Sequence, residues 1–314
     1  MKVSVIVPTY NRREVVVRTL KTLFEQDFCP EEYEIIVVID GSIDGTALAL
    51  RALSSPAAFR IIEQENRGLA GARNTGLRAA RGDVVLFLDD DMDCGRRLIS
   101  EHHAAHVGAE PVIGFGAVFL SSDSPLSLPA EIFKLEVGAF YLRQKAAPET
   151  QWSQQACIFG NTSAPRPLLL EVGGFDERFR MREDAELGIR LFARGIRPQY
   201  LPNAIACQYY FKTAADLIRD AEAFAIADHM LVQKHGSRVP EALTGRRMHD
   251  RAWKQWAWRA IAAWPRLTEI FLILCCWIGE RLIMLPLLRR LGMRALQVRR
   301  SIHWHRRLAE LNRS

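Results

Sequence analysis

Residues 84–91 read Val84-Val85-Leu86-Phe87-Leu88-Asp89-Asp90-Asp91, five apolar side chains in succession and then three carboxylates. A short unbroken apolar run suits a strand covered on both faces, as strands of parallel sheets are. Like charges repel, so a triple carboxylate directly after a buried strand calls for something to hold it there. In open parallel sheets ligands collect beyond the carboxyl ends of the strands. Working outward, residues 3–7 and 34–39 are further apolar runs and residues 60–63 a shorter one. Helical patterns fill the intervals at 12–24, 44–53 and 69–80. This alternation predicts an α/β fold, a mainly parallel sheet with helices on both faces and right-handed crossovers.

Each strand end carries polar chemistry: Thr9-Tyr10-Asn11-Arg12, Asp40-Gly41-Ser42, Asn66-Arg67-Gly68 with Arg73-Asn74, and the aspartate triplet. In Asp89-x-Asp91 the alternate carboxylates can face one hard cation, Mg2+ or Mn2+, which shares oxygen ligands with phosphates. Asp90 is then available to a ribose or a sugar. Acidic residues also favour helix N-termini for electrostatic reasons alone. Asp40 is placed to accept hydrogen bonds from a ribose or base, while Ser42 or Asp44 is better placed to cap the next helix. Arg73 stands among Ala70, Gly71, Ala72 and Gly76, where a ligand could approach a guanidinium. A surface ion pair is the plainer reading. Glu183-Asp184 opens a helix and can supply a general base or simply a cap.

Past residue 97 the pattern loosens. Strands are expected at 111–120, 156–159 and 198–201, and helices at 167–172, 182–194 and 214–234. Residues 121–129 form a Ser-, Pro- and Asp-bearing loop, a candidate lid, followed by a variable stretch to 155. The six cysteines include no CxxC pair, which favours neither zinc nor a disulfide framework and suits a reducing compartment. The N-terminus lacks the pattern of a signal peptide.

The net charge of +6 conceals an asymmetry. Residues 246–314 hold 15 Lys/Arg against 4 Asp/Glu, a net of +11, leaving −5 for the rest. Six of the seven tryptophans lie there too. The apolar run 270–279 is broken by Glu280-Arg281, well short of the roughly 20 residues a spanning helix needs. Trp among Arg is the composition of helices lying in an anionic membrane surface. A packing subdomain or an oligomer contact is the alternative. No nucleic-acid-binding module is present. The composition predicts two domains, 1–235 and a helical, basic extension at 236–314.

Together, the openings Val3-Ser4-Val5-Ile6-Val7-Pro8-Thr9-Tyr10-Asn11-Arg12 and Asp40-Gly41-Ser42, the Asn66-Arg67-Gly68 and Ala72-Arg73-Asn74 segments, Phe87-Leu88-Asp89-Asp90-Asp91, Gly173-Gly174-Phe175-Asp176-Glu177 and Glu183-Asp184 resemble family 2 glycosyltransferases. Motifs in the right order are far more specific than any one of them. The resemblance covers residues 1–210. It implies a GT-A fold and an inverting transfer of one sugar from a nucleotide-diphosphate sugar, a UDP-sugar first. The acceptor would be a hydroxyl of a glycan or lipid-linked molecule, with a divalent cation on the diphosphate. Carried over by position, Asp40, Pro8, Thr9, Tyr10 and Arg73 surround the nucleoside, and Asp89 and Asp90 meet the donor. Asp89 and Asp91 match the metal-binding positions, Asp91 as the direct ligand. Asp184 matches the catalytic base, with Glu183 beside it on the acceptor and Gly173-Gly174-Phe175 shaping the acceptor side.

Three departures qualify the match. Ile39 stands where many relatives have an acid. Cys207-Gln208-Tyr209-Tyr210 stands where many have a metal-binding His. No QxxRW motif follows, which favours single additions over processive polymerisation. A sugar nucleotidyltransferase is the competing enzyme class, but Pro8-Thr9-Tyr10-Asn11 is not its Gly-rich loop. A non-catalytic nucleotide-sugar-binding scaffold of an envelope-polysaccharide complex is the competing non-enzyme. The expected location is peripheral, at the cytoplasmic face of the cell membrane.

Overall fold

The structure, a computed structural model, describes residues 1–108, 110–146, 160–239 and 264–313, with 141–146 as backbone only. The expected strand at 156–159 and Trp253, Trp256 and Trp258 lie outside the described residues. Packing divides the chain into two compact units, Met1–Asp123 with Val137–Tyr209, and Ser124–Glu136 with Tyr210–Ser314. The packing boundary therefore precedes the change in composition after Gly236, and the helix expected at 214–234 groups with the C-terminal helices.

The first unit is built on one eight-stranded sheet. Its strands are β1 (Val3–Thr9), β2 (Tyr33–Asp40), β3 (Ala58–Gln64), β4 (Val84–Leu88), β5 (Met92–Cys94), β6 (Val112–Leu120), β7 (Asn161–Pro165) and β8 (Arg197–Gln208), in the order β3-β2-β1-β4-β7-β6-β8-β5. The pairs β1–β2, β1–β4, β2–β3 and β6–β8 are parallel, and β4–β7, β6–β7 and β5–β8 antiparallel. Every residue of β1, β2 and β4 is buried, which explains their continuous apolar runs. Side chains alternate between two cores. Val3, Val5 and Val7 pack with Val16, Leu20 and Leu23 of α1 (Arg13–Leu23) and Leu50 of α2 (Thr46–Arg51). Ile6, Ile36 and Val38 pack on the other side with Ala70, Ala72 and Leu77 of α3 (Gly68–Ala79).

The second half of the sheet departs from expectation. The strand after Gly160 is β7, running antiparallel to β4. The last strand, expected at 198–201, continues to Gln208. Its ladder shifts between Gly116 and Ala117, so the partner jumps from Leu201 to Ile205 and Pro202 falls into the irregularity. A proline has no N–H for a ladder and is tolerated at such bulges. Helix α4 (Leu98–Ala104) and the three-residue β5 occupy a region without clear periodicity. The loop expected at 121–129 ends early, because α5 (Leu128–Ala146) starts at Leu128 with Pro129 in its first turn, where proline is well tolerated. Two more helices, α6 (Arg166–Glu171) and α7 (Glu183–Phe192), complete this part of the chain.

The second unit is helical. Its core joins Leu128 and Ile132 of α5, Leu217 of α8 (Ala214–His235), Leu272, Cys275 and Cys276 of α9 (Pro265–Arg281), and Met293, Leu296 and Ile302 of α10 (Pro286–Leu311). Helices α9 and α10 meet at a glycine pair. A methyl group on Gly279 would lie 2.6 Å from the Gly292 Cα, so only hydrogen fits at this crossing. No helix among the described residues is long and apolar enough to cross a membrane.

Candidate active site

A cavity of about 400 Å³ opens at the carboxyl ends of β1 and β2, lined by Pro8, Thr9, Tyr10, Arg12, Asp40, Asn66, Gly68, Leu69, Ala72 and Asp90. Four of the expected nucleotide-binding positions, Pro8, Thr9, Tyr10 and Asp40, therefore share one wall system with Asp90. Tyr10 is half exposed at this cavity. Asp40 is buried at the end of β2, and its two oxygens accept from Gln64 Nε2 (2.7 Å), the Arg67 amide (2.8 Å) and the Gly68 amide (2.8 Å). It fixes the loop that opens α3 while lining the cavity. The turn after β2 is held by Asn11, whose Oδ1 accepts from the Ile43 amide and whose amide donates to Ser42 Oγ. Asp44 Oδ1 accepts from the Thr46 amide at 3.2 Å, but the residue in the capping position of α2 is Gly45, at φ +82°, so neither Ser42 nor Asp44 takes the capping role expected of them.

The aspartate triplet turns three ways. Asp90 is buried and accepts from Thr9 Oγ1 (2.7 Å) and Arg12 Nη1 (2.6 Å). Asp91 is buried too, 3.2 Å from the same Arg12 nitrogen, with Gln208 Nε2 at 3.1 and 3.3 Å from its oxygens. Burial, with the charges of Asp89 and Asp90, pushes the Asp91 carboxyl up to about 7. Asp89 is partly exposed and accepts from Arg73 Nη2 at 3.0 Å. Its amide donates to the Gly160 carbonyl. A methyl group on Gly160 would come within 2.6 Å of Asp89 Oδ2, so glycine leaves this carboxylate its room.

Arg73 is 3% exposed and does not face open solvent. It joins the two acidic motifs, donating through Nη1 to Glu183 Oε1 at 2.8 Å and through Nη2 to Asp89, above the ring of Phe175. Glu183 is thus buried in an ion pair, and burial together with the Asp184 charge pushes it up to about 7. Asp184 is the more exposed member of the pair. Its Oδ1 accepts from the Ala185 amide (2.7 Å), and burial raises its pKa against the opposing pull of Arg73. Arg182, just before α7, has φ +64°, a conformation uncommon for a residue with a side chain. The neighbouring Asn74 clamps the Gly173-Gly174-Phe175 turn, its amide nitrogen donating to the Phe175 carbonyl and its oxygen accepting from the Phe175 amide, each at 2.8 Å. Arg67 reaches Glu177 at 2.6 Å.

The sequence profile described as Glycosyl transferase family 2 matches residues 4–159. Validoxylamine A glucosyltransferase of Streptomyces hygroscopicus subsp. limoneus is 30% identical over 273 residues, 76% of this chain and 58% of that protein. Residues 4–159 belong to glycosyl transferase family 2. The uncharacterized glycosyltransferase YfnE of Bacillus subtilis (strain 168) is 42% identical over 118 residues, 37% of this chain and 30% of that protein. The chain thus spans from under a third to about three fifths of the length of these relatives. Among solved structures, mannosyltransferase PcManGT from Pyrobaculum calidifontis, in complex with GDP-Man and Mn2+, has a TM-score of 0.62 at 22% identity, covering 96% of this chain and 86% of that one. S. aureus TarS 1-349 in complex with UDP has a TM-score of 0.51 at 18% identity, covering 96% and 90%. The fold of this chain is GT-A.

In this site, two residues without an expected role stand at the centre. Arg12 ties Asp90 to Asp91. The signal was its place directly after Asn11, itself at φ +51°. Gln208 occupies the position beside Asp91 where a histidine was noted as missing. A third set lies beneath the site. His102 pairs through Nε2 with Asn161 Oδ1 and through Nδ1 with Ser163 Oγ, both at 2.8 Å, and burial lowers it to about 4. Asn161 Nδ2 donates to two carbonyls, so its Oδ1 must accept, and His102 carries its proton on Nε2.

A divalent cation fits these donors by chemistry. Among the described residues no group of three or more His, Cys, Asp or Glu converges on one point. Mg2+, however, is usually held by one or two carboxylates together with substrate phosphates. The raised Asp91, crowded by two other carboxylates, is the position a cation would relieve most.

Proposed function

We propose that this chain moves one sugar from a nucleotide-diphosphate sugar to a hydroxyl of a glycan or lipid-linked acceptor, with inversion at the anomeric carbon. The observation that carries this reading is the Arg73 bridge between Asp89 and Glu183, which couples the aspartate triplet to the Glu183-Asp184 pair. The nucleoside lies in the cavity between Tyr10, Asp40 and Ala72. The diphosphate reaches toward Arg12 and the triplet, where Asp91 and Asp89 would hold Mg2+ or Mn2+, a Lewis acid for the leaving diphosphate. Arg73 holds Glu183 away from the acceptor and leaves Asp184 as the available base. Asp184 takes the proton of the acceptor hydroxyl as that oxygen attacks the anomeric carbon opposite the departing phosphate. A raised pKa suits this role, because an ordinary aspartate is too weak a base near neutral pH. PcManGT and TarS carry GDP-Man and UDP respectively, which supports a nucleotide-sugar donor; a UDP-sugar is the first to try. The same reading has the enzyme held peripherally at the cytoplasmic face of the cell membrane by its basic C-terminal region.

The test is a panel of UDP-, GDP- and dTDP-sugars with Mg2+ or Mn2+, scored by nucleotide release with and without EDTA. Release from at least one donor, lost in EDTA and in Asp184→Asn with acceptor present, is expected. Synthesis of a nucleotide sugar from a sugar phosphate and a nucleoside triphosphate would instead establish the nucleotidyltransferase alternative.

A further inference from the structure

Helix α9 has two apolar faces, and among the described residues only one is packed against the protein. Leu272, Cys275, Cys276 and Gly279 are buried against the helical core. On the opposite side Leu267, Ile270, Phe271, Leu274 and Trp277 are each exposed by half or more. The spacing is i, i+3, i+4, i+7, i+10, a single stripe. It continues round the turn into α10 through Met284 (77%) and Leu287 (78%). Apolar surface of this extent on a soluble monomer marks an interaction site.

The charges around the stripe identify what it meets. Both carboxylates of α9 are tied to the protein: Glu269 pairs with Arg299 and Glu280 accepts from the Leu128 amide. Arg289 and Arg300 are likewise paired, with Glu131 and Glu136. The exposed Arg266, Arg281, Arg290 and Arg294 have no carboxylate partner among the described residues. Arg266 and Arg281 stand at the two ends of the stripe, and Arg281 lies 5.6 Å over the Trp277 ring. Apolar side chains flanked by free arginines, with Trp at the boundary, match a lipid surface with anionic headgroups. Helix α9 spans about 26 Å at 1.5 Å per residue, and its other face is covered by protein, so it suits lying along a bilayer better than crossing one.

We infer that the outer face of α9 and its turn into α10 dock in the plane of an anionic bilayer, Phe271 and Trp277 entering the acyl boundary and Arg266, Arg281, Arg290 and Arg294 meeting phosphate. The inference rests on the membrane part of the proposed function and not on sugar transfer. The test is co-sedimentation of the full chain with vesicles of phosphatidylcholine alone or mixed equally with phosphatidylglycerol, beside a Phe271→Glu/Trp277→Glu variant. Both substitutions are on exposed positions, and matching circular dichroism and melting curves confirm that the variant folds. The wild-type chain is expected to pellet with the anionic vesicles, less so in high salt, and the variant to partition at least tenfold more weakly. Equal pelleting of the variant would overturn the assignment to this face while leaving membrane attachment in place. Wild-type protein remaining in the supernatant with both vesicles would overturn both. A dimer in sedimentation velocity that the variant dissociates would show instead that a second copy covers the stripe. Vesicle binding needs no donor, so each result is separable from the outcome of the sugar panel.

Discussion

Arg73 of the sheet unit is 3% exposed and holds two carboxylates at once, whereas Arg281 of the helical unit is exposed, lies over Trp277 and has no carboxylate partner among the described residues. The same side chain serves opposite ends. Turned inward, arginine lets acidic groups crowd together at a strand end without a guest, as Arg12 does for Asp90 and Asp91 and Arg73 for Asp89 and Glu183. Turned outward, it leaves charge for something the chain does not contain. The sheet unit carries its chemistry in buried anions, and the helical unit carries its own in exposed cations beside an apolar stripe.

The sharpest break in the first half of this comparison is Asp184→Asn. If Asp184 is the general base proposed above, its loss should lower kcat by about 100-fold or more, while donor binding, measured by calorimetry, changes little because Asp184 does not line the cavity at β1 and β2. The base must be ionised to act, and burial raises its pKa. The wild-type rate should therefore fall, as pH is lowered, at a pH above that of an ordinary aspartate, and the variant's residual rate should lack that limb. A variant with near wild-type turnover would reduce Asp184 to a helix-opening residue.

Arg73→Ala tests the inward arginine itself. Removing one partner from a buried ion pair typically costs about 3–5 kcal/mol, read as a lower urea midpoint. Glu183 has its pKa raised to about 7, above the usual value of 4.5, so its burial in ionised form weighs against the folded state increasingly as pH rises through that interval. The deficit should be larger at pH 8 than at pH 6. In the helical unit the corresponding break is Leu272→Ala, on the buried face of α9, with a loss of about 2–5 kcal/mol expected for a core leucine.

These contrasts also explain what could be read from the sequence. Strands β1, β2 and β4 were legible because burial on both faces leaves unbroken apolar runs, and the acids at their ends were legible because nothing else explains charge there. Strand β8 was read only to Leu201, since Pro202 usually ends a strand and its accommodation in a bulge depends on β6. Helix α5 was hidden by Ser- and Pro-bearing residues just before it. The pairing of Arg73 with Glu183 could not be read from the sequence, because only the tertiary fold brings residues 110 positions apart to 2.8 Å. Arg12 and Gln208 met Asp91 through the same kind of long-range closure.

Asp91→Asn separates function from stability. With Mg2+ or Mn2+ present, nucleotide-sugar affinity should fall by more than about tenfold if, as proposed, the carboxylate would share a cation with the diphosphate; in EDTA wild type and variant should bind alike. Without ligand the variant should melt no lower than wild type, because a carboxyl pushed up to about 7 by burial and two neighbouring acids is held against its own preference. Lower stability combined with unchanged affinity would make Asp91 a structural partner of Gln208 and Arg12.

The smallest effect is expected at Phe271→Ser, and its smallness carries the meaning. Phe271 and Leu272 are adjacent, but Phe271 is 61% exposed and Leu272 8%. Burial of apolar surface stabilises by roughly 25 cal/mol per Å², so a ring left largely in water contributes little to folding, and surface substitutions away from caps and networks usually stay within about 0.5 kcal/mol. The urea midpoint of Phe271→Ser should accordingly match wild type, while Leu272→Ala is clearly shifted. A phenylalanine that does little for the fold, set in a stripe with Ile270, Leu274 and Trp277, is a burden on solubility, and the exposed arginines beside it supply the charge that would steer the stripe to an anionic surface. If Phe271→Ser instead destabilised the chain as much as Leu272→Ala, the outer face of α9 would be covered by the protein itself, and the contrast between an inward-facing and an outward-facing unit would fail at its most exposed point.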